Sequence, residues 1–462
     1  MRTFLEPARA TPIIHEADVC VLGGSCTGIF AAVRAARLGA SVVLVEKQNC
    51  FGGVATLSMV NAWHSFMDAE FKEQIIGGLS DEIRHRLARR DAIVGIERSH
   101  SFGFVFNSEE LKIELDELAQ EHRLKLYLHT MFVAPIVEEG QLVGVAVENK
   151  TGRGVIRARM FIDATGDADL CARLPGVTCY YENHLQPATA CARFEGWRAL
   201  QRESIDTGIN HAAKGFDVGA LIREHGREFG IPEGFTWGCF VPGSDIYMLA
   251  GTRIYGKNPA DADHLTDAEI EGRRQIRAIH DLLRKYRPDV KLTLQALPQR
   301  LGLRESRHVR CRHRLSGDEI LHGRRFTDAI ANGSYRVDIH HQDKSGITLR
   351  YLDGREEYAA PGQPRVSGRW REPSAENPSY YQIPLAAMLP DSPYGNLIAA
   401  GRMIDADPVA HGAIRVMVNM NQTGEAAGVA CVLALRENRP LAALDPRRLR
   451  AALREGGSLL SG

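Results

Sequence analysis

The chain has 462 residues, 44% of them hydrophobic and 25% charged, a globular composition long enough for about two domains of roughly 100 to 200 residues each. Acids and bases balance at 57 each, a formal net charge of +0. This gives no electrostatic reason to expect nucleic acid or an anionic membrane as partner, and leaves a small-molecule substrate as the default. There is neither a run of about 18 apolar residues nor an apolar segment behind a basic start, and the nine cysteines include no C-x-x-C pair. Membrane span, secretory leader and metal site are therefore not expected, and free thiols in the cytoplasm are.

Residues 18–22 (DVCVL) read as a buried strand. They run into the turn Gly23-Gly24-Ser25-Cys26-Thr27-Gly28 and then into IFAAVRAARLG, which has helical periodicity up to Gly39. Residues 41–46 (SVVLVE) make a second strand with Glu46 at its carboxyl end, which completes a βαβ unit. A turn in this context presents backbone N–H groups to a pyrophosphate, and the acid is placed to accept from a ribose hydroxyl. Ser25 stands where the G-x-G-x-x-G pattern has its middle glycine, so the turn alone fits either kind of dinucleotide or a structural corner.

Glycine pairs follow at Gly52-Gly53 and Gly77-Gly78, the second leading into an amphipathic helix, LSDEIRHRLARR. Capping-box spacing from Asn107 to Glu110 opens another helix over LKIELDELAQ. A short strand at 124–128 precedes LVGVAVEN and GVIRARMFI, which alternate as the arms of a hairpin joined by KTGR and lead into DATGDADL. From about 175 to 385 the chain turns aromatic, His-rich and Gly/Pro-punctuated, with one helix opened by Thr266 and Glu269 at capping-box spacing. NLIAAG and NQTGEAAGVACVLALRE then return to strand and helix. The fold class this implies is α/β: a Rossmann-type cofactor domain with a βαβ fingerprint and a β-meander, plus an inserted mixed α+β substrate domain. Expected boundaries are 1–172 for the first cofactor-domain segment, 173–385 for the substrate or cap domain, 386–440 for the second segment and 441–462 for a C-terminal tail helix.

Five segments span nearly the whole chain: the fingerprint with Glu46, FGGVAT (51–56), FIDATGDADL (161–170), RLGLRESRHV (300–309) and AAGRMIDADPVAHGAIRVMVNMNQTGEAAGVA (399–430). In them the chain resembles the bacterial FAD-dependent oxidoreductase family, related to the glutathione-reductase-like and fumarate-reductase-like flavoproteins. The resemblance implies FAD as cofactor. It implies contacts from Gly23, Gly24, Ser25, Cys26, Thr27, Gly28, Glu46, Lys47, Gly52, Gly53, Ala55, Thr56, Val133, Ala164, Thr165, Gly166, Asp169, Gly401, Arg402, Gln422, Thr423 and Gly424. The D-A-T-G segment is expected over the pyrophosphate, the G-R segment by the ribityl chain, and the isoalloxazine against the amino terminus of the last helix at 422–428, whose dipole favours an anionic reduced flavin. Gly424 and Gly428 suit tight helix packing equally well.

Flavin chemistry needs a C–H held over N5 and a group for the accompanying proton, and histidine is the natural base near neutral pH. Of 17 histidines the first candidate is His340, in YRVDIHHQD, followed by His341, His64 and His411; each also reads as a structural or surface side chain. Arg304 can fork onto a substrate carboxylate, with Arg402 and Arg415 as rivals, or can sit in an ion pair with Glu305 or Asp338. Cys26 and Cys50 are expected to be small buried thiols, and Trp63 suits substrate stacking and core packing alike. The expected activity is hydride transfer between a small organic substrate and flavin N5. Two alternatives stand beside it. One is a flavin-bearing electron-transfer subunit, which the absence of paired cysteines disfavours; the other is a flavin-binding RNA-modifying protein, which the balanced charge disfavours. Substrate, electron acceptor, covalent attachment of FAD and homo-oligomeric state are left open.

Overall fold

A computed structural model describes residues 2–96, 98–99, 102–200 and 216–460. Its central layer is a seven-stranded sheet. β1 (Ile13–Leu22) leads into α1 (Cys26–Arg37) and β2 (Val42–Val45), whose four residues are all buried, as a parallel strand covered on both faces requires. β3 (Lys125–Tyr127), β4 (Met131–Glu138), β5 (Gln141–Asn149) and β6 (Gly152–Asp163) follow. Across the sheet the order is β3-β2-β1-β6-β5-β4, and β7 (Leu397–Ala399) also pairs with β6. Pairing is parallel among β3, β2, β1 and β6, and antiparallel in the β4-β5-β6 meander.

The 12-residue β6 serves both halves of the chain. Its first part completes the meander, and its end takes β7 in parallel register, Phe161 opposite Leu397. The βαβ unit and hairpin thus stand where the sequence puts them, with β1 beginning at Ile13 rather than 18. β4 has no counterpart in the sequence reading. Pro135 lies in its middle, which argues against a strand, but β4 is an edge strand, where a missing N–H is tolerated.

The helix expected to open at Thr266 begins earlier, as Ala262–Tyr286. Asp261 is its cap, accepting from the His264 N–H at 2.9 Å, while the Thr266 hydroxyl lies inside the helix and donates back to the Ala262 carbonyl. Asn107 caps the helix Ser108–Glu121 by accepting from the Glu109 N–H. The last long helix, α2 (Met417–Glu437), starts four residues before the segment read from sequence.

Within residues 173–385 the antiparallel pair Ala329–Gly333 and Tyr381–Pro384 shares its hydrophobic core with α1 and α2. A second core joins the helix Ala262–Tyr286 to a four-stranded sheet that contains Cys191–Glu195 and Tyr247–Ala250. The strands Val337–His340, Ile347–Arg350, Arg355–Ala359 and Val366–Arg369 form another antiparallel sheet. Among the described residues no helix is long and apolar enough to cross a membrane.

α1 and α2 meet backbone to backbone. A Cβ on Gly424 would lie 2.0 Å from the Thr27 carbonyl oxygen, and one on Gly428 would lie 2.2 Å from that of Ala31. Beside this seam Arg34 is buried. Its guanidinium is 3.7 Å from Glu425 and donates to the carbonyls of Ala452 and Gly456 at the end of the helix Pro446–Glu455. Glu425 in turn accepts from the Leu79 N–H at the start of the helix Gly78–Ala88. Burial pushes the Glu425 carboxyl up to about 7, with Arg34 opposing.

Two outcomes follow from this seam. Gly424→Val should cost about 3 kcal/mol or more, read as a lower urea midpoint, because neither backbone can retreat. Glu425 is harder to ionise folded than unfolded, so its contribution to stability falls as pH rises through the interval ending near 7. The melting temperature of Glu425→Gln should therefore gain on that of the wild type from about pH 5 to about pH 8. An unchanged gap would show that the carboxyl ionises normally.

Candidate active site

The strand-turn-helix corner is shaped by backbone. Gly23 adopts φ 97° and donates to the Val45 carbonyl, and a Cβ on Gly28 would lie 1.8 Å from the Gly23 carbonyl oxygen. The Glu46 carboxylate accepts from the N–H groups of Gly24 (2.6 Å) and Gln48 (2.8 Å), so it braces the turn from behind. The Ser25 hydroxyl does not cap α1, and no acid lies in its first turn. The positive helix end therefore opens onto a cavity of about 780 Å³, lined here by Ser25, Cys26, Thr27, Gly52, Ala164, Gly166, Gly401 and Arg402.

Asp163, at the end of β6, is fully buried. One carboxylate oxygen accepts from the Thr165 N–H and hydroxyl, the other from the N–H groups of Leu170 and Cys171. That loop also holds Asp167, which pairs with Arg402 and accepts from the Ser306 hydroxyl. Burial is the largest influence on Asp167, but Arg402 and Arg300 outweigh it and keep the carboxyl below its ordinary range.

The other expected cofactor contacts are placed by their own bonds and packing. Lys47 pairs with Asp169 at 3.6 Å. The Gly401 N–H donates to the Thr423 hydroxyl. Gly52 (φ 103°) donates to the Gly24 carbonyl, a Cβ on Gly53 would crowd Ser25, and the Thr56 hydroxyl, next to buried Ala55, ties back to the Phe51 carbonyl. Val133 is half-buried on β4. The Gln422 side chain exchanges hydrogen bonds with the Asn332 backbone, and Gly424 faces α1. Met417, Met420 and Asn421 are the α2 residues that line the cavity.

His64, Arg304 and His340 line the same cavity. Asp338 and His340 alternate on one strand, so both point to one face, and their side chains are 3.4 Å apart. Asp338 also accepts from the Tyr335 hydroxyl (2.9 Å) and from Arg415 (3.3 Å). Burial raises the Asp338 carboxyl, but His340, Arg415 and Arg336 outweigh it and hold the group well below the carboxylate range. Burial pushes the His340 imidazole down to about 3 despite Asp338, with Arg304 and Arg253 adding to the effect. His64 packs its ring 4.2 Å from that of Tyr335, and burial lowers it likewise to about 3. Among the described residues its Nδ1 has no hydrogen-bond partner.

Arg304 makes no ion pair with Glu305 or Asp338. One guanidinium nitrogen donates to the Pro187 carbonyl (2.6 Å) and the Thr189 hydroxyl (2.7 Å). Arg253, Arg336 and Thr189 also line the cavity and were not singled out from the sequence, since each comes from a different, unremarkable segment. His411 lies behind the wall. Its Nε2 faces the Arg304 carbonyl, and its ring meets His308, which sits 3.2 Å from Glu305, in a fully buried cluster. His341 bonds to Thr348 on the neighbouring strand. Trp63 is fully buried against Phe104 and Phe106, and Cys26, a cavity-lining thiol, is pushed by burial up to about 12.

A mixed sheet whose first parallel turn offers an uncapped helix start to a large cavity is the arrangement that receives a dinucleotide's diphosphate. The chain belongs to the FAD dependent oxidoreductase family, whose profile matches residues 18–453. It is a flavoenzyme with FAD as cofactor. The digeranylgeranylglycerophospholipid reductase of Methanoculleus marisnigri is 24% identical over 255 residues, a stretch that covers 54% of this chain and 58% of that relative. Among solved structures, a geranylgeranyl bacteriochlorophyll reductase-like protein of Thermoplasma acidophilum is 13% identical with a TM-score of 0.44, covering 96% of this chain and 84% of that one. A myxobacterial chondrochloren halogenase is 13% identical with a TM-score of 0.46, covering 96% and 79%.

The residues present fit the cofactor, because the uncapped first turn of α1, held by the close contact of Gly28 with the Gly23 carbonyl, faces the cavity as a diphosphate needs. Gly28→Val is expected to abolish FAD uptake, read as absorbance of the purified protein after reconstitution. Full occupancy would place the diphosphate elsewhere.

Proposed function

We propose that the enzyme transfers a hydride between a small organic substrate and flavin N5 inside this cavity. Residues 1–172 and 386–440 hold the cofactor, 173–385 shape the substrate side, and 441–462 brace the back of α1. The observation that carries this reading is that the His340–Asp338 pair and Arg304 line the same cavity as the open end of α1. Bound FAD supplies a two-electron acceptor or donor.

The protein supplies the proton chemistry and the positioning. Asp338 stays ionised 3.4 Å from one ring nitrogen of His340, leaving the other to take the proton of a substrate O–H or N–H. Because burial keeps the imidazole neutral, His340 is a base throughout the neutral range. Arg304 orients the substrate through the guanidinium edge that Pro187 and Thr189 leave unused. Tyr335 and Arg415 fix Asp338 so that the pair does not reorient during turnover. The nine unpaired cysteines, eight of them buried, fit a reducing compartment, and the cytoplasm is the proposed setting.

The reconstituted protein should be yellow and bleach anaerobically with a competent donor. His340→Asn should lower kcat on the order of 100-fold or more while FAD content stays unchanged. Wild-type kcat/KM should differ little between about pH 6 and about pH 7.5, since the base has no proton to lose there. A wild type that takes up no FAD, or a His340→Asn variant with full turnover, overturns the reading.

A further inference from the structure

The cavity wall carries more positive charge than its own carboxylates can answer. Among the described residues two acids line it, Asp217 and Asp338. Asp217 is taken by Arg223 at 3.5 Å, and Asp338 by Arg415 and His340. Arg253 and Arg304 line the same wall and, among the described residues, neither has an ion-pair partner. Their hydrogen bonds go to neutral acceptors. Arg253, only 3% exposed, donates to the Thr252 and Phe235 carbonyls, both at 2.7 Å, and Arg304 donates to the Pro187 carbonyl and the Thr189 hydroxyl.

The two cations also act on each other. Burial lowers Arg304 to about 9, with Arg253 and then Arg415 adding to the effect. Withdrawing two guanidinium ions from water against neutral partners is costly, and the cost is lifted when a bound anion is shared between them. The cofactor's diphosphate does not serve. It belongs at the α1 end, where Arg402 stands, and the charged groups around Arg402 (Asp167, Arg300, Asp169) are none of those around Arg304.

We propose that Arg253 and Arg304, with the Thr189 hydroxyl, form a carboxylate subsite, so that the substrate is a small organic acid. The inference rests on the oxidoreductase reading for what the ligand undergoes, and on the wall alone for the fact that it binds. A carboxylate is the right complement, because the planar N–H edge of a guanidinium matches its two oxygens. Both arginines line the cavity that His340, the proposed base, also lines.

The test uses malonate and inorganic phosphate as probes, with wild type, Arg253→Gln and Arg304→Gln. Each protein is titrated with FAD bound, following the flavin absorption spectrum, and without FAD, following the melting temperature. Malonate should perturb the spectrum saturably, raise the melting temperature of both forms of the wild type, and bind at least about 10-fold more weakly to each variant. Without any anion, the Gln variants should melt no lower than the wild type, because an uncompensated charge has been removed. A purely structural role for these arginines predicts lower melting instead. Should a Gln variant not fold, Arg304→Lys replaces it, keeping the charge and losing the fork; its malonate affinity should fall between the two. No response to malonate, equal affinity in all variants, or binding of phosphate in preference to malonate each overturns the subsite. A wild type that takes up no FAD overturns the functional reading, and the FAD-free titration still decides this one.

Discussion

Everything at the cofactor end depends on how closely three pieces of backbone approach one another around α1. The turn at Gly23 presses on Gly28 from one side, and α2 presses its Gly424 and Gly428 on the carbonyls of Thr27 and Ala31 from the other. No side chain lies between, so the helix has no freedom to slide, and the direction of its uncapped N–H groups is set by main-chain contact. Asp163 adds the remaining constraint. Its four accepted hydrogen bonds hold the loop carrying Gly166 and Asp167, which places Arg402 beside the same helix end. A single buried carboxylate thus couples the end of β6 to a residue more than two hundred positions later.

The far side of the cavity is organised on a different principle. The cofactor end uses oriented backbone amides, whereas the substrate end uses full charges on side chains drawn from separate segments: Arg253 next to a cap strand, Arg304 from a loop, Asp338 and His340 from one strand, and Arg415 at the junction before α2. Asp338 is the hub, since Tyr335, His340 and Arg415 all converge on it. The buried Glu305, His308 and His411 cluster stands behind and holds the Arg304 main chain in place. Under the proposed function, this division leaves the cofactor to main chain and the substrate to side chains, which can change without disturbing the sheet.

The sequence was most legible where local periodicity and glycine geometry decide the structure. The βαβ corner, the hairpin and the D-A-T-G strand end all carry short-range signals. His340 was singled out by the segment YRVDIHHQD, while its pairing with Asp338 came only with the strand, on which alternate residues share a face. Legibility failed where tertiary context overrides local rules. Pro135 hid an edge strand, and Thr266 offered a cap that Asp261 already provided. The start of α2 was read four residues late, because Met417, Val418, Asn419 and Met420 carry no capping signal. Arg253 and Thr189 had no local mark at all, because only the folded chain brings them to the wall that holds Arg304.

Arg34 sits in the first helix, yet the carbonyls it binds are 418 to 422 residues further on. At about 5 to 20 residues per second, a ribosome takes roughly 20 to 80 s to span that interval. α2, which closes the seam over Thr27, emerges almost as late. The cofactor cradle is therefore completed only after more than 400 further residues have followed Arg34. During that time the apolar face of α1 needs an interim cover, and free FAD meets a finished binding site only once Gly456 has emerged.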